Sequence, residues 1–98
     1  VFVGSLALDL LLGDVHSLKE KRSVVRPIVA ELHRTYAVSA AEAGHLDLHR
    51  RALIGVATVS ADAQHCRDVL DNCERLVAAH PEVTVLSAHQ QLHTDEDD

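Results

Sequence analysis

From Phe2 to Leu12 the side chains alternate with a period of two, and both faces that result are largely apolar. Phe2, Leu6, Leu8, Leu10 and Leu12 fall on one side; Val3, Ser5, Ala7, Asp9 and Leu11 fall on the other, with Val1 just before them. Successive side chains of a strand point to opposite faces, so this stretch reads as a long strand. Apolar character on both faces belongs to a strand with neighbours on either side. The chain must therefore build a sheet around its first residues. Gly13 and Asp14 mark the turn that follows.

The remaining segments supply the partners. Ser17 and Glu20 stand as S-x-x-E, the capping box of a helix start. Leu18, Val25, Ile28 and Leu32 then recur near helical spacing, which predicts a helix over residues 18–34. Pro27 removes the amide that would bond back to Ser23, so a bend or a loosened turn is expected between 23 and 27. Residues 36–43 read as a weaker, alanine-rich strand at or near a sheet edge, broken by Gly44–Asp47. Residues 51–60, RALIGVATVS, form a strong strand in which Gly55 suggests a close backbone approach. Ser60 or Asp62 caps a second helix with the stripe Cys66, Val69, Leu70, Cys73, Leu76 and Val77, ended by His80 and Pro81. Residues 82–93 are the last strand.

The order is βαββαβ. With right-handed crossovers it closes as an α+β, ferredoxin-like sandwich: a four-stranded antiparallel sheet with two helices on one face. Ninety-eight residues hold a single core. The domain is expected over residues 1–93, and the acidic tail at 94–98 is expected to be disordered. Covering one sheet face with both helices leaves the other bare, with Val1, Val3, Ala7 and Leu11 of the first strand on it. A bare apolar face usually takes a partner, and homo-oligomerisation through it, most simply as a two-fold dimer, is the expectation.

Several function classes find no support. Apolar residues make up 47% and charged residues 24%, as in an ordinary soluble protein. No run approaches the roughly 20 apolar residues of a membrane span, and no basic segment precedes the apolar start, so no membrane role and a cytoplasmic location are expected. Cys66 and Cys73, seven apart on one helix, would lie about 10 Å apart, too far for a disulfide. They read as small buried hydrophobes in a reducing compartment. The eight histidines are scattered; His89 and His93 would be about 13 Å apart along a strand, and no C-x-x-C or H-E-x-x-H accompanies them. There is no G-x-S-x-G and no glycine-rich phosphate loop. Ferredoxin-like enzymes that cleave acyl phosphates use an arginine with an asparagine, and the one asparagine, Asn72, lies in the middle of a helix. No catalytic residue, metal or cofactor is expected.

Charge is segregated by element. The net charge of −6 argues against sequence-blind binding to nucleic acid, and no DNA partner is expected. Between residues 16 and 34, however, Lys19, Lys21, Arg22, Arg26 and Arg34 face only Glu20 and Glu31. Lys19, Arg22 and Arg26 share one helix face, with Lys21 to one side. Cations in a first helical turn oppose the helix dipole at about 0.3–1 kcal/mol each, which suggests another use for them. Lys19, Lys21, Arg22 and Arg26 are thus candidate partner-binding residues, with Arg50 and Arg51 as possible helpers. The plainer alternative is a solvated face, partly neutralised by Glu20 and Glu31. Base stacking on the sheet is disfavoured, because Phe2 and Tyr36 are the only aromatic residues and neither sits where such rings are needed. Phosphate contacts require charge and not rings.

The string H-S-L-K-E-K-R-S at 16–23, V-S-A-A-E at 38–42, Asp47-Leu48, R-A-L-I-G-V-A-T-V-S at 51–60 and P-E-V at 81–83 resemble the YlxP-like family of small bacterial proteins, a domain of unknown function. The resemblance covers nearly the whole chain. It implies a ferredoxin-like fold and no known catalytic residues or cofactor. Members are often encoded beside a translation initiation factor and ribosome-binding factor A, which implies ribosome assembly or translation by association. Where relatives commonly read Q-D-L-W-Q-R, this chain reads Leu46-Asp47-Leu48-His49-Arg50-Arg51, without the tryptophan or either glutamine. The function expected is a non-enzymatic accessory protein whose basic first helix contacts ribosomal RNA or a ribosomal protein. The alternative is a self-associating scaffold or small-ligand sensor, with ligand at an oligomer interface.

Overall fold

The two strands whose sequences are apolar on both faces, β1 (Phe2–Leu12) and β3 (Arg51–Ser60), take the inside positions of the sheet. β2 (Ser39–Gly44) and β4 (Val83–Thr94) form the edges, in the order β2-β3-β1-β4, with all neighbours antiparallel. The helices are α1 (Leu18–Thr35) and α2 (Ala63–Ala78). This is the ferredoxin-like α+β sandwich. The computed structural model describes residues 1–95.

Side-chain parity decides what is buried. On β1, Leu6, Leu8, Leu10 and Leu12 point to the helices and are essentially fully buried, as are Ala52, Ile54 and Val56 of β3. They meet Val25, Ile28 and Leu32 of α1 and Leu70, Cys73 and Val77 of α2. Each large side chain buried this way contributes about 1.5–3 kcal/mol. The tightest helix–strand approach is at Gly4 rather than Gly55: a Cβ on Gly4 would lie 2.9 Å from Leu70 Cδ1 and 3.3 Å from Cys66 Cβ. At Gly55 it would meet only Ala43 Cβ, at 3.3 Å on the opposite face.

Local details refine the sequence expectations. Ser17 Oγ accepts from the Glu20 amide at 3.1 Å, but Glu20 Oε2 reaches back one residue further than a capping box requires, to the His16 amide at 3.1 Å. α1 runs unbroken through Pro27, which is exposed, so water can reach the Ser23 carbonyl that loses its partner. β2 begins at Ser39 and not at Tyr36, because the Tyr36 amide still closes the helix on Leu32 O at 3.0 Å. Of the two candidate caps of α2 it is Asp62 that acts, its Oδ1 accepting from the Gln64 amide at 3.0 Å, while Ser60 Oγ accepts from the Asp62 amide at 3.0 Å just ahead of the helix. Thr94 belongs to β4, and Asp95 accepts from the Val1 amino group at 3.1 Å; the rest of the expected acidic tail, 96–98, lies outside the described residues. Among the described residues no helix is long and apolar enough to cross a membrane.

Candidate functional site

The exposed side of α1 carries Lys19, Arg22 and Arg26 along one ridge, around a depression of about 390 Å³ that Ser23 and Pro27 complete. The spacing follows from helix geometry, since residues three and four apart are surface neighbours. The acids that might neutralise them are engaged elsewhere. Glu20 turns back to the His16 amide, and Glu31 lies 3.2 Å from His80 Nε2. Among the described residues no carboxylate comes within ion-pair reach of Lys19, Arg22 or Arg26. A second cleft of about 340 Å³ opens on the other side of the two arginines, towards β2. Val25, Val29 and Ala30 give it an apolar wall, and His33 and Glu42 close it. His33 is fixed there, because its Nε2 accepts from the Ala40 amide at 3.0 Å.

Lys21 does not belong to this ridge. It is 1% exposed, and its Nζ donates to His45 O at 2.7 Å and lies 2.7 Å from Glu42 Oε2. That contact is an ion pair off hydrogen-bonding geometry, so Oε2 is buried without a hydrogen bond while still facing the ammonium charge. His45 adopts a left-handed backbone at φ 56°, a region in which histidine is less rare than most residues. Lys21 thereby ties α1 to β2 and to the turn that follows it. The signal for this was present in the sequence: Lys21, Val25, Ile28 and Leu32 share one helical stripe, and these four are the buried residues of α1.

Arg50 and Arg51 are also placed away from the ridge. Arg50 Nε donates to Gly13 O at 2.9 Å and to Leu12 O at 3.2 Å, holding the turn between β1 and α1. Arg51 lies on the helix-free face of the sheet, where Nη2 donates to both carboxylate oxygens of Asp9, at 2.8 and 2.7 Å. The hydrogen bonds from the Arg51 guanidinium hold the Asp9 carboxyl below its usual range, against the opposing effect of burial. His45 Nε2, 3.4 Å from Asp9, adds to the lowering. Of the six cations singled out by sequence, three form the ridge and three are committed to the fold.

The ridge can bind anions at several points, and the hydroxyl beside it, Ser23 Oγ, donates to Glu20 O at 2.6 Å. Both cysteines are unbridged and buried, and burial pushes the Cys73 thiol up to about 11. Among the described residues no three His, Cys, Asp or Glu side chains are grouped to hold a metal ion.

A family model described as "Protein of unknown function (DUF503)" matches residues 3–90, and the chain belongs to that family. The chain is also similar to "Uncharacterized protein YlxP" of Bacillus subtilis (strain 168), 28% identical over 81 residues, which span 83% of this chain and 88% of the relative.

Proposed function

We propose that this DUF503 protein is a cytoplasmic, non-enzymatic accessory factor of ribosome assembly or translation. Its ridge of Lys19, Arg22 and Arg26 docks on the anionic surface of the ribosome, either ribosomal RNA phosphate or the acidic side chains of a ribosomal protein. One observation carries the reading: three neighbouring cations stand exposed on one ridge with no carboxylate partner among the described residues, in a chain of net charge −6. A solvated surface face of an acidic protein would be expected to pair at least some of them. Arginine forks suit phosphate and carboxylate alike. The apolar wall of Val25, Val29 and Ala30 beside Arg22 and Arg26 offers contact area to whatever the cations hold. The unbridged cysteines suit a reducing compartment.

The test is sedimentation with ribosomal subunits at low and high salt. Wild type is expected in the subunit fraction at low salt, and a Lys19→Ala/Arg22→Ala/Arg26→Ala variant in the supernatant. Finding both proteins in the supernatant at low salt removes the proposal.

A further inference from the structure

The helix-free face of the sheet is graded across its width in a way that makes it complementary to itself. Rows of residues run across the four strands in register. One row is Ser39, Ala57, Ser5 and Gln91; the next on this face is Ala41, Gly55, Ala7 and His89. Side chains on β2, β3 and β1 in these rows are minimal, and those on β4 are large. The result is a trough of about 360 Å³ floored by the small residues and walled on one side by His89 and Gln91. A third row pairs Val59 with Val3, which are 67% and 38% exposed.

From this grading we infer that the face is the interface of a two-fold homodimer, with the dyad parallel to the strands between β1 and β3. That rotation keeps each residue in its row and exchanges β4 with β2, and β1 with β3. His89 and Gln91 of one copy then enter the other's trough over Ala41 and Ser39, and the reverse happens at once, as an isologous contact requires. Val59 of each copy lies over Val3 of the other, covering the apolar end. Along the dyad, Ala7 and Ser5 over Gly55 and Ala57 let the two sheets approach closely, as aligned sheet packing needs.

Charge and area agree with a second copy as the occupant. The ion pair on this face, Asp9 with Arg51, is internally satisfied, so burying the face against itself leaves no unpaired carboxylate or guanidinium from these rows. A nucleic acid would find there no lysine, no arginine free of a carboxylate, and no Phe, Tyr or Trp ring for stacking. Four strands about 4.8 Å apart and about ten residues long at 3.3 Å each present roughly 600 Å². Two such faces bury about 1,200 Å², the lower bound of standard stable interfaces. The ridge on α1 lies on the opposite side and remains free in the dimer.

Sedimentation velocity of the purified chain at about 0.2 mM, well above the micromolar range of modest interfaces of this size, reads the assembly directly. The expected mass is twice the 10.7 kDa of one chain. Two substitutions are each expected to weaken the dimer at least tenfold: Ala41→Arg, which fills the trough from an exposed edge position, and Val59→Lys, which charges the apolar end. Circular dichroism checks that each is folded; should Ala41→Arg unfold, Val59→Lys at an already exposed position carries the test. The Lys19→Ala/Arg22→Ala/Arg26→Ala variant is expected to dimerise like wild type. A single-chain mass for wild type overturns the inference, and so does undiminished dimerisation of the folded variants.

Discussion

Replacing Lys21 by Met separates a structural role from a binding one. Met keeps most of the buried stem, so little cavity forms. What is lost is the ammonium that holds Glu42 Oε2 and His45 O, each at 2.7 Å. Removing one partner of a buried ion pair costs about 3–5 kcal/mol. Glu42 is 23% exposed, so water can partly resolvate its carboxylate, which brings the expected loss to about 2–3 kcal/mol. For a domain of this size that lowers Tm by roughly 10–20 °C, at about 4–8 °C per kcal/mol. Urea unfolding followed by circular dichroism measures it. Adding Glu42→Leu to Lys21→Met removes the stranded carboxylate and is expected to restore at least half of the loss, giving a coupling energy above about 1 kcal/mol. Lys19→Ala, at an exposed first-turn position, is expected to be neutral or slightly stabilising through the helix dipole. A Lys21→Met protein within about 0.5 kcal/mol of wild type, the range of ordinary surface changes, contradicts the assignment.

Three further outcomes follow from other sites. Asp9 has its pKa depressed in the fold by Arg51, so the pair's contribution is present above the unfolded value of 3.8 and is lost as pH falls below it. Asp9→Asn should therefore flatten the fall in stability on acidification below that pH, by under about 1 kcal/mol because the pair is partly exposed; an identical acid profile for both proteins refutes this. Gly4→Ala drives a Cβ to 2.9 Å from Leu70 Cδ1 and 3.3 Å from Cys66 Cβ, and should cost about 1–3 kcal/mol in urea unfolding, with a neutral result contradicting the close packing. Cys66 and Cys73 are buried and Cys73 is pushed up to about 11, so both thiols should resist a disulfide reagent in the folded protein and react in denaturant; rapid reaction of the native protein speaks against this core.

Much of the fold was legible in the sequence because parity and helical period are local signals. Two-sided apolar strands had to be central, and the alanine-rich strand went to an edge. The site was legible only in part. Lys19, Arg22 and Arg26 follow from helix spacing alone. Lys21 is a different matter, because its partners, Glu42 and the His45 carbonyl, come from a strand and a turn far along the chain. Its place on the Val25, Ile28, Leu32 stripe pointed inward, but a lysine there reads as a surface residue until an acid is known to face it. Arg50 and Arg51, adjacent in sequence, part because neighbouring strand residues face opposite ways and Arg50 lies just outside the strand. The graded open face likewise depends on cross-strand register, which no single segment encodes.

The proposal rests on charge at the ridge, and the salt dependence of binding to purified ribosomal subunits tests it most directly. With fluorescently labelled protein titrated by anisotropy, three cations on phosphate predict that log K falls against log salt with a slope of about −2 to −3. The Lys19→Ala/Arg22→Ala/Arg26→Ala variant should lose both the affinity and the slope. Binding that is indifferent to salt, or equal in the variant, or absent from wild type at the lowest salt, contradicts the account.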